Sequence, residues 1–219
     1  MTCAGETRRT SSDSRTLARS SLLFGGYPRR VSLRDREIGG RILPHLRPGW
    51  NVLDLGSDTG RLMRWLSSRV DIHPTLTDVV EFGNRVGGFP YVRMADPLST
   101  PFEDRSFDAV LMLFVLHHVA RWEDQEELLR EAVRITRTRV ILIEDTPLSS
   151  TDRVFNTAWD WALNLRHGVP KPFSFRTVEG WRQVFPRVGL TETAADTYRP
   201  IWPTLGTYRH TLFVLDRSG

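Results

Sequence analysis

Two glycines and three acids near the middle of the chain have types and spacing suited to holding a small ligand. Val52–Gly60 reads VLDLGSDTG, an apolar run that breaks at Gly56 and Gly60. Glycine lets the backbone take positive φ and lets a ligand approach the main chain closely. The spacing is not the dinucleotide fingerprint G-x-G-x-x-G, because Asp58 and Arg61 occupy positions that pattern needs otherwise, and no G-K-[ST] follows to make a P-loop. Taken alone, the segment can also be a plain strand-to-helix turn. Asp78 stands eighteen residues beyond Gly60, at the end of a second apolar run, where a carboxylate can accept two hydrogen bonds from a ribose diol. Asp96 ends a third run and can accept from an exocyclic amine such as that of adenine. Each aspartate alone is also an ordinary turn former or helix cap. Together the set suits an adenosine that carries no phosphates.

A second group of residues could serve a reaction partner. His117 and His118 directly follow a fourth apolar run, and a histidine near neutral pKa can take a proton from a hydroxyl or amine. The alternative is that one or both cap the next helix or bond a backbone carbonyl. Glu144 and Asp145 end a fifth run on the same rim. No spacing among these groups matches a metal ligand set, so no metal is expected. His167 reads as surface. Residues 148–176 carry Phe155, Trp159, Trp161, Leu163, Phe173 and Phe175 in a connection long enough to form a lid. Phe155, Trp159 and Leu163 recur every four residues, one helical stripe, which either packs on the domain or lines a pocket for the reaction partner. Tyr27, Arg29 and Arg30 could reach a ligand carboxylate, or could simply be solvated.

These groups need a scaffold. Leu22–Leu46 suits one or two short helices, broken near Pro44 and Pro48. Strands are expected at NVLDLG, TLTDV, YVRMAD, FDAVLMLFVL and RVILIED. Helices are expected at RLMRWLSSRV and DQEELLREAVRI, and after the insert at TVEGWRQVF. Such alternation implies a parallel sheet with helices on both faces. LTETAADTY and HTLFVLDR follow with no room for a crossover helix, so they should pair as a hairpin with one strand antiparallel. The fold class is therefore α/β, a Rossmann-like doubly wound sheet of seven strands, mostly parallel. Ligands in such sheets bind beyond the carboxyl ends of the strands.

Composition narrows the rest. With 219 residues, 40% hydrophobic and 26% charged, the chain can bury a real core. Residues 1–20 read as a flexible polar tail and 21–219 as one domain. No stretch is apolar enough to span a membrane, and the first twenty residues hold no apolar signal core. Glu6 and Asp13 speak against a transit peptide. Cys3 is the single cysteine, which points to a reducing, cytoplasmic setting. The net charge is +4 and the pI about 9.8, but 29 of the 30 cations are arginine, Lys171 being the exception. That excess is spread along the chain instead of clustered, which argues against nucleic acid as a partner. Oligomeric state is not readable.

The ordered segments VLDLGSDTG, LTD, ADPLSTPFEDRSFDAVLMLFVLHHV and LLREAVRI…RVILIED resemble the motifs of class I S-adenosylmethionine-dependent methyltransferases of the type 11 kind. Pro101, Phe102, Ser106, Phe107 and Asp108 are the most specific part. The resemblance covers about residues 50–146 and implies S-adenosyl-L-methionine as cofactor. It puts the methionine part beside Gly56 and Gly60, the ribose at Asp78, the adenine at Asp96, and main chain around Phe114 under the sulfonium. The implied cofactor set is Asp54, Gly56, Ser57, Asp58, Gly60, Asp78, Val79, Asp96, Pro97 and Phe114. Asp58 stands where the family usually has its middle glycine. Its carboxylate could pair with the ligand's ammonium or repel its carboxylate. The usual GG turn before the fifth strand is replaced by ITRTRV.

The implied function is methyl transfer to a small, partly apolar acceptor, with His118 and His117 as candidate bases. Glu144, Asp145, Phe155, Trp159 and Trp161 would line the acceptor. Two other readings stand beside it: an RNA methyltransferase, against which LHHV replaces the [DN]-P-P-[FY] expected after the fourth strand, and a binding module without catalysis.

Overall fold

A computed structural model describes residues 32–148, 151, 152, 154, 174–200 and 209–219. The expected tail at 1–20, the Tyr27–Arg30 arm, His167, Phe155, Trp159, Trp161, Leu163 and Phe173 lie outside the described residues.

Seven strands form one sheet in the order β3-β2-β1-β4-β5-β7-β6. They are β1 (Asn51–Leu55), β2 (His73–Asp78), β3 (Tyr91–Arg93), β4 (Phe107–Leu113), β5 (Thr136–Asp145), β6 (Leu190–Tyr198) and β7 (His210–Arg217). Neighbouring pairs from β3 to β5 are parallel, and β7 runs antiparallel to both β5 and β6. The helices are α1 (Leu33–Ile42), α2 (Arg61–Ser67), α3 (Trp122–Ile135) and α4 (Val178–Val184). The α/β class, the seven strands and the antiparallel last strand agree with the sequence reading.

The expected alternation fails on one flank. Neither β2 to β3 nor β3 to β4 is joined by a helix. Residues 79–90 carry glycines at 83, 87 and 88 and lack an apolar helical stripe, so turns take the place of crossover helices there. The run read as FDAVLMLFVL also ends three residues early, because Phe114 leaves the strand with φ +59.

The strands align their side chains in rows. Leu53, Val110, Val140 and Leu215 stand in register, as do Leu55, Met112, Leu142 and Phe213. These rows are buried with Leu128, Leu129, Ala132 and Ile135 of α3 and with Trp181 and Val184 of α4. Each Val, Leu, Ile, Met or Phe among them contributes roughly 1.5–3 kcal/mol through burial. Alternate strand positions, among them Asp54, point to the opposite face. There α1 meets α2 closely: a Cβ on Gly39 would lie 2.4 Å from Trp65 Cε3. Ser32 caps α1 through a reciprocal pair with Asp35, and Arg61 at the start of α2 reaches Asp35 at 3.2 Å. This ties α1 beside the turn that follows β1.

Candidate active site

The strand order reverses between β1 and β4, and the segments leaving these two strands touch. β1 continues through the turn Gly56–Gly60, where Gly56, Asp58 and Gly60 all have positive φ, at 81°, 47° and 72°. A Cβ on Gly56 would come within 2.4 Å of Val115 Cγ2, and one on Gly60 within 2.5 Å of Leu76 Cδ1. Both glycines are thus required by φ and by space. Asp58 holds the left-handed conformation that the missing middle glycine would have taken, which aspartate does at lower cost than most residues.

Asp78 stands at the end of β2 and works on this turn directly. Its Oδ2 accepts from the Asp58 N–H at 3.0 Å and its Oδ1 from the Val80 N–H at 3.0 Å. Asp54, on β1, is 4% exposed, and burial raises its pKa to about 7, with Asp78 and then Asp58 adding to the rise. Desolvation of the Asp58 carboxyl likewise raises its pKa, with Asp78 adding and the Thr59 N–H, Arg61 and Arg34 opposing. Three carboxyls therefore converge where a cation would relieve them. The buried Ser57 Oγ has no hydrogen-bond partner among the described residues. Asp96 accepts the Leu98 N–H at 2.8 Å, fixing its own turn. Between the ends of β2 and β3 opens a cavity of about 590 Å³ lined by Val79, Arg93, Met94, Ala95 and Pro97. Val79 and Pro97 both belong to the expected cofactor set. An orphaned hydroxyl, a tight glycine turn, a convergent acid set and a cavity beside the ends of β2 and β3 fit a nucleoside with a cationic tail.

The β4 side is built differently. Phe114 sits at the reversal point with φ +59, an outlier for a bulky side chain and a form of strain that clusters at functional sites. Its N–H donates to the Ile143 carbonyl, and the Arg34 guanidinium lies 4.9 Å from its ring centroid. Glu144, expected to line the acceptor, faces its own scaffold instead. It is 1% exposed. Its Oε1 accepts from the Val115 and Leu116 N–H groups at 3.0 and 2.7 Å, and its Oε2 from His117 Nδ1 at 2.7 Å. That carboxylate pins the turn after β4.

His117 is correspondingly structural. It is buried, stacks on Phe175 at 5.3 Å, and its carbonyl accepts the Ser174 N–H. Gln125 of α3 completes the clamp, donating to the Leu116 and Ser174 carbonyls and accepting from Arg176. Phe175, the described member of the insert's aromatic set, packs and does not line an opening. The His117 ring thus bonds the Glu144 carboxylate, a partner that neither the helix-cap nor the backbone-carbonyl alternative named. His118 stands beside it, rings 4.1 Å apart, and burial, then His117, push its pKa down to about 3. A base that weak is poorly matched to neutral pH.

Asp145 is buried too, and its Oδ1 is bonded to Nδ1 of His210 at 2.5 Å. His210 opens β7 opposite Asp145 in the register, and its ring meets Phe114 edge-on at 4.8 Å and Tyr198 at 5.5 Å. Tyr198 is 7% exposed, and its Oη has no hydrogen-bond partner among the described residues. Burial pushes its phenol well above the usual range, so it stays protonated. His210 and Tyr198 were not foreseen. A lone histidine opening the apolar run HTLFVL was the only signal.

Comparisons with known proteins agree with this geometry. Residues 53–143 match the family model described as a methyltransferase domain. Over 122 residues the chain is 31% identical to the ubiquinone/menaquinone biosynthesis C-methyltransferase UbiE of Idiomarina loihiensis, a match covering 48% of this chain and 47% of that protein. It is 29% identical over 99 residues to the probable tRNA methyltransferase 9B of Mus musculus, covering 43% and 21%. The chain thus spans about half the length of the first relative and about a fifth of the second. Magnesium protoporphyrin IX methyltransferase from Synechocystis PCC 6803, solved with bound SAH, shares the fold with a TM-score of 0.62, 17% identity and 95% coverage of each chain. Residues 53–143 thus match a methyltransferase-domain model, and the chain shares the fold of that solved methyltransferase.

Proposed function

We propose that the protein binds S-adenosyl-L-methionine across the ends of β1, β2 and β3 and transfers its methyl group to a small, partly apolar acceptor. The observation that carries this reading is the convergence of Asp54, Asp58 and Asp78 on one glycine turn beside the cavity at Val79 and Pro97. Bound there, the cofactor supplies a methyl group on cationic sulfur.

The chain's own residues then have distinct tasks. Asp78 holds the turn through the Asp58 N–H and offers its carboxylate to a diol. Val79 and Pro97 give the base apolar walls, and Asp96 is the acceptor proposed for its amine. The acid cluster favours a cationic ligand, and ionised Asp54 is favoured in turn by that cation. Phe114 presents main chain at the reversal point, and its ring stands between this half and the β5–β7 rim. With His118 held neutral at about 3, positioning and exclusion of water carry most of the catalysis. Trp159, Trp161 and Phe155 remain proposed walls of the acceptor pocket.

Calorimetric titration with S-adenosylmethionine and S-adenosylhomocysteine tests the reading. Micromolar binding of both, followed by methyl transfer in an acceptor screen, is expected, and no binding of either would overturn it. Binding without any transfer would favour the inactive binding module. The similarity to a tRNA methyltransferase supports RNA as a second acceptor class. Filter binding of total tRNA with a steep salt slope would favour that class.

A further inference from the structure

From the way β3 grips the segment leaving β2, we propose that Tyr91 is a positioning residue that aims the Asp78 carboxylate at the cofactor's ribose, with Arg93 holding Val79 beside it. The inference rests on the methyltransferase reading above and deepens it by assigning two β3 side chains to the same site.

β3 is three residues long and stands at the edge of the sheet. Tyr91 and Arg93 are two positions apart, so both side chains leave one face of the strand and Val92 leaves the other. In the ladder Tyr91 is level with Leu76, yet its hydroxyl reaches past the end of β2. It donates to the Val80 carbonyl at 2.9 Å and lies 3.3 Å from the carbonyl oxygen of Asp78. Arg93 Nε donates to the Val79 carbonyl at 3.3 Å, and the Met94 N–H donates to that of Asp78 at 2.9 Å. Three successive carbonyls are thus tied to β3 or to the residue that follows it.

That segment carries the nucleoside end of the site. The Asp78 carboxylate accepts from the Asp58 and Val80 N–H groups, both at 3.0 Å. Val80 is therefore held twice, its N–H by Asp78 and its carbonyl by Tyr91. Freed from Tyr91, Val80 can swing away and deprive the carboxylate of one of the two donors that orient it. Val79 is 41% exposed and lines the cavity together with Arg93, and the hydrogen bond between them keeps that apolar wall in place.

Tyr91 is equipped to remain a donor. Desolvation, then the charge of Asp78, raises its pKa, so the phenol keeps its proton. The Arg85 guanidinium lies 3.8 Å from its ring centroid and pairs with Glu81 at 3.9 Å, which steadies the ring. A tyrosine that served β3 alone would need no hydroxyl reaching beyond its own ladder partner, and phenylalanine would fill the same space.

The test uses the full chain and S-adenosylhomocysteine. Tyr91→Phe deletes the hydroxyl and keeps the ring. Calorimetry should show affinity about five- to tenfold weaker, with the melting temperature within about 3 °C of the parent. In a double-mutant cycle, the same change made on Asp78→Ala should cost less than about twofold, because the carboxylate it aims is gone. Amide exchange of the ligand-free protein should quicken at Val80 and Asp58 in Tyr91→Phe and match the parent through β4 and β5. Should Tyr91→Phe fail to fold, Arg93→Met, at an exposed position, decides the question by the same quickened exchange at Val80. A folded Tyr91→Phe that binds within about twofold of the parent, a loss that adds in full to that of Asp78→Ala, or unchanged exchange at Val80 would each overturn the proposal. Failure of the parent to bind S-adenosylhomocysteine would instead sink the methyltransferase reading beneath it, whatever the exchange at Val80 shows.

Discussion

The two halves of the sheet's carboxyl rim are built on opposite principles. On the β1–β3 half, function sits on main chain and on acids at strand ends, with each contact closing over about twenty residues or fewer: Asp78 reaches Asp58, and Asp96 reaches Leu98. On the β4–β7 half, each important side chain is held by a partner far along the chain. Glu144 pins His117 across 27 residues, and Asp145 pins His210 across 65. The first half is an open cradle under electrostatic tension, and the second is held by buried carboxylate–histidine pairs. Substitutions should accordingly weaken ligand binding on one side and folding on the other.

The largest expected effect falls on the buried half. Glu144→Ala removes the acceptor for three buried donors, and chemical denaturation should report a loss of about 3–5 kcal/mol. A loss below about 1 kcal/mol would break the distinction between the halves. Next comes the tension at Asp54. Its folded pKa, about 7, lies above the ordinary 3.8, so the folded state holds the extra proton between those values. Stability is fully present below pH about 4 and falls as pH rises through about 7. Asp54→Asn should remove that fall, a difference of about 2–4 kcal/mol between pH 4 and pH 8. Parallel melting curves for parent and variant across that range would refute it.

Asp78→Ala should weaken S-adenosylhomocysteine binding by about 1.5–3 kcal/mol through lost charge-assisted bonds. If Asp78→Ala and Asp96→Ala both titrate like the parent, the ribose and adenine assignments fall together. His118 carries a smaller expectation. Its pKa is lowered from 6.5 to about 3, so its contribution to stability is present above pH 6.5 and is lost as pH falls toward 3. His118→Gln should soften acid unfolding over that window and lower turnover by less than about tenfold, since so weak a base contributes little. A loss of 100-fold would return His118 to the catalytic set. Smallest of all, Asp58→Gly should keep cofactor affinity within about threefold, because φ +47 suits glycine as well. A tenfold loss would show that the carboxylate itself holds the ligand.

What the sequence determined by itself is the local and periodic part. The β1 strand, the glycine turn, the runs that become β2, β4 and β5, and the amphipathic α3 all follow from apolar spacing and from Gly56 and Gly60, whose conformations few other residues can take. Asp78 was legible for the same reason, since it ends β2, whereas β3 stops at Arg93 and Asp96 lies three residues past it, not at the end of the YVRMAD run as a strand. Asp58 was legible as a turn former, and its positive φ bears that out. Tertiary structure alone decided which way the rim acids face. Glu144 and Asp145 are adjacent and of like chemistry, yet opposite faces of β5 send one to His117 and the other to His210. The His210 pairing depends on the register of β5 against β7, which is set by rows such as Leu142 against Phe213, and not by anything within HTLFVL. Register is a property of two strands packed on a shared core, so no single run of residues carries it.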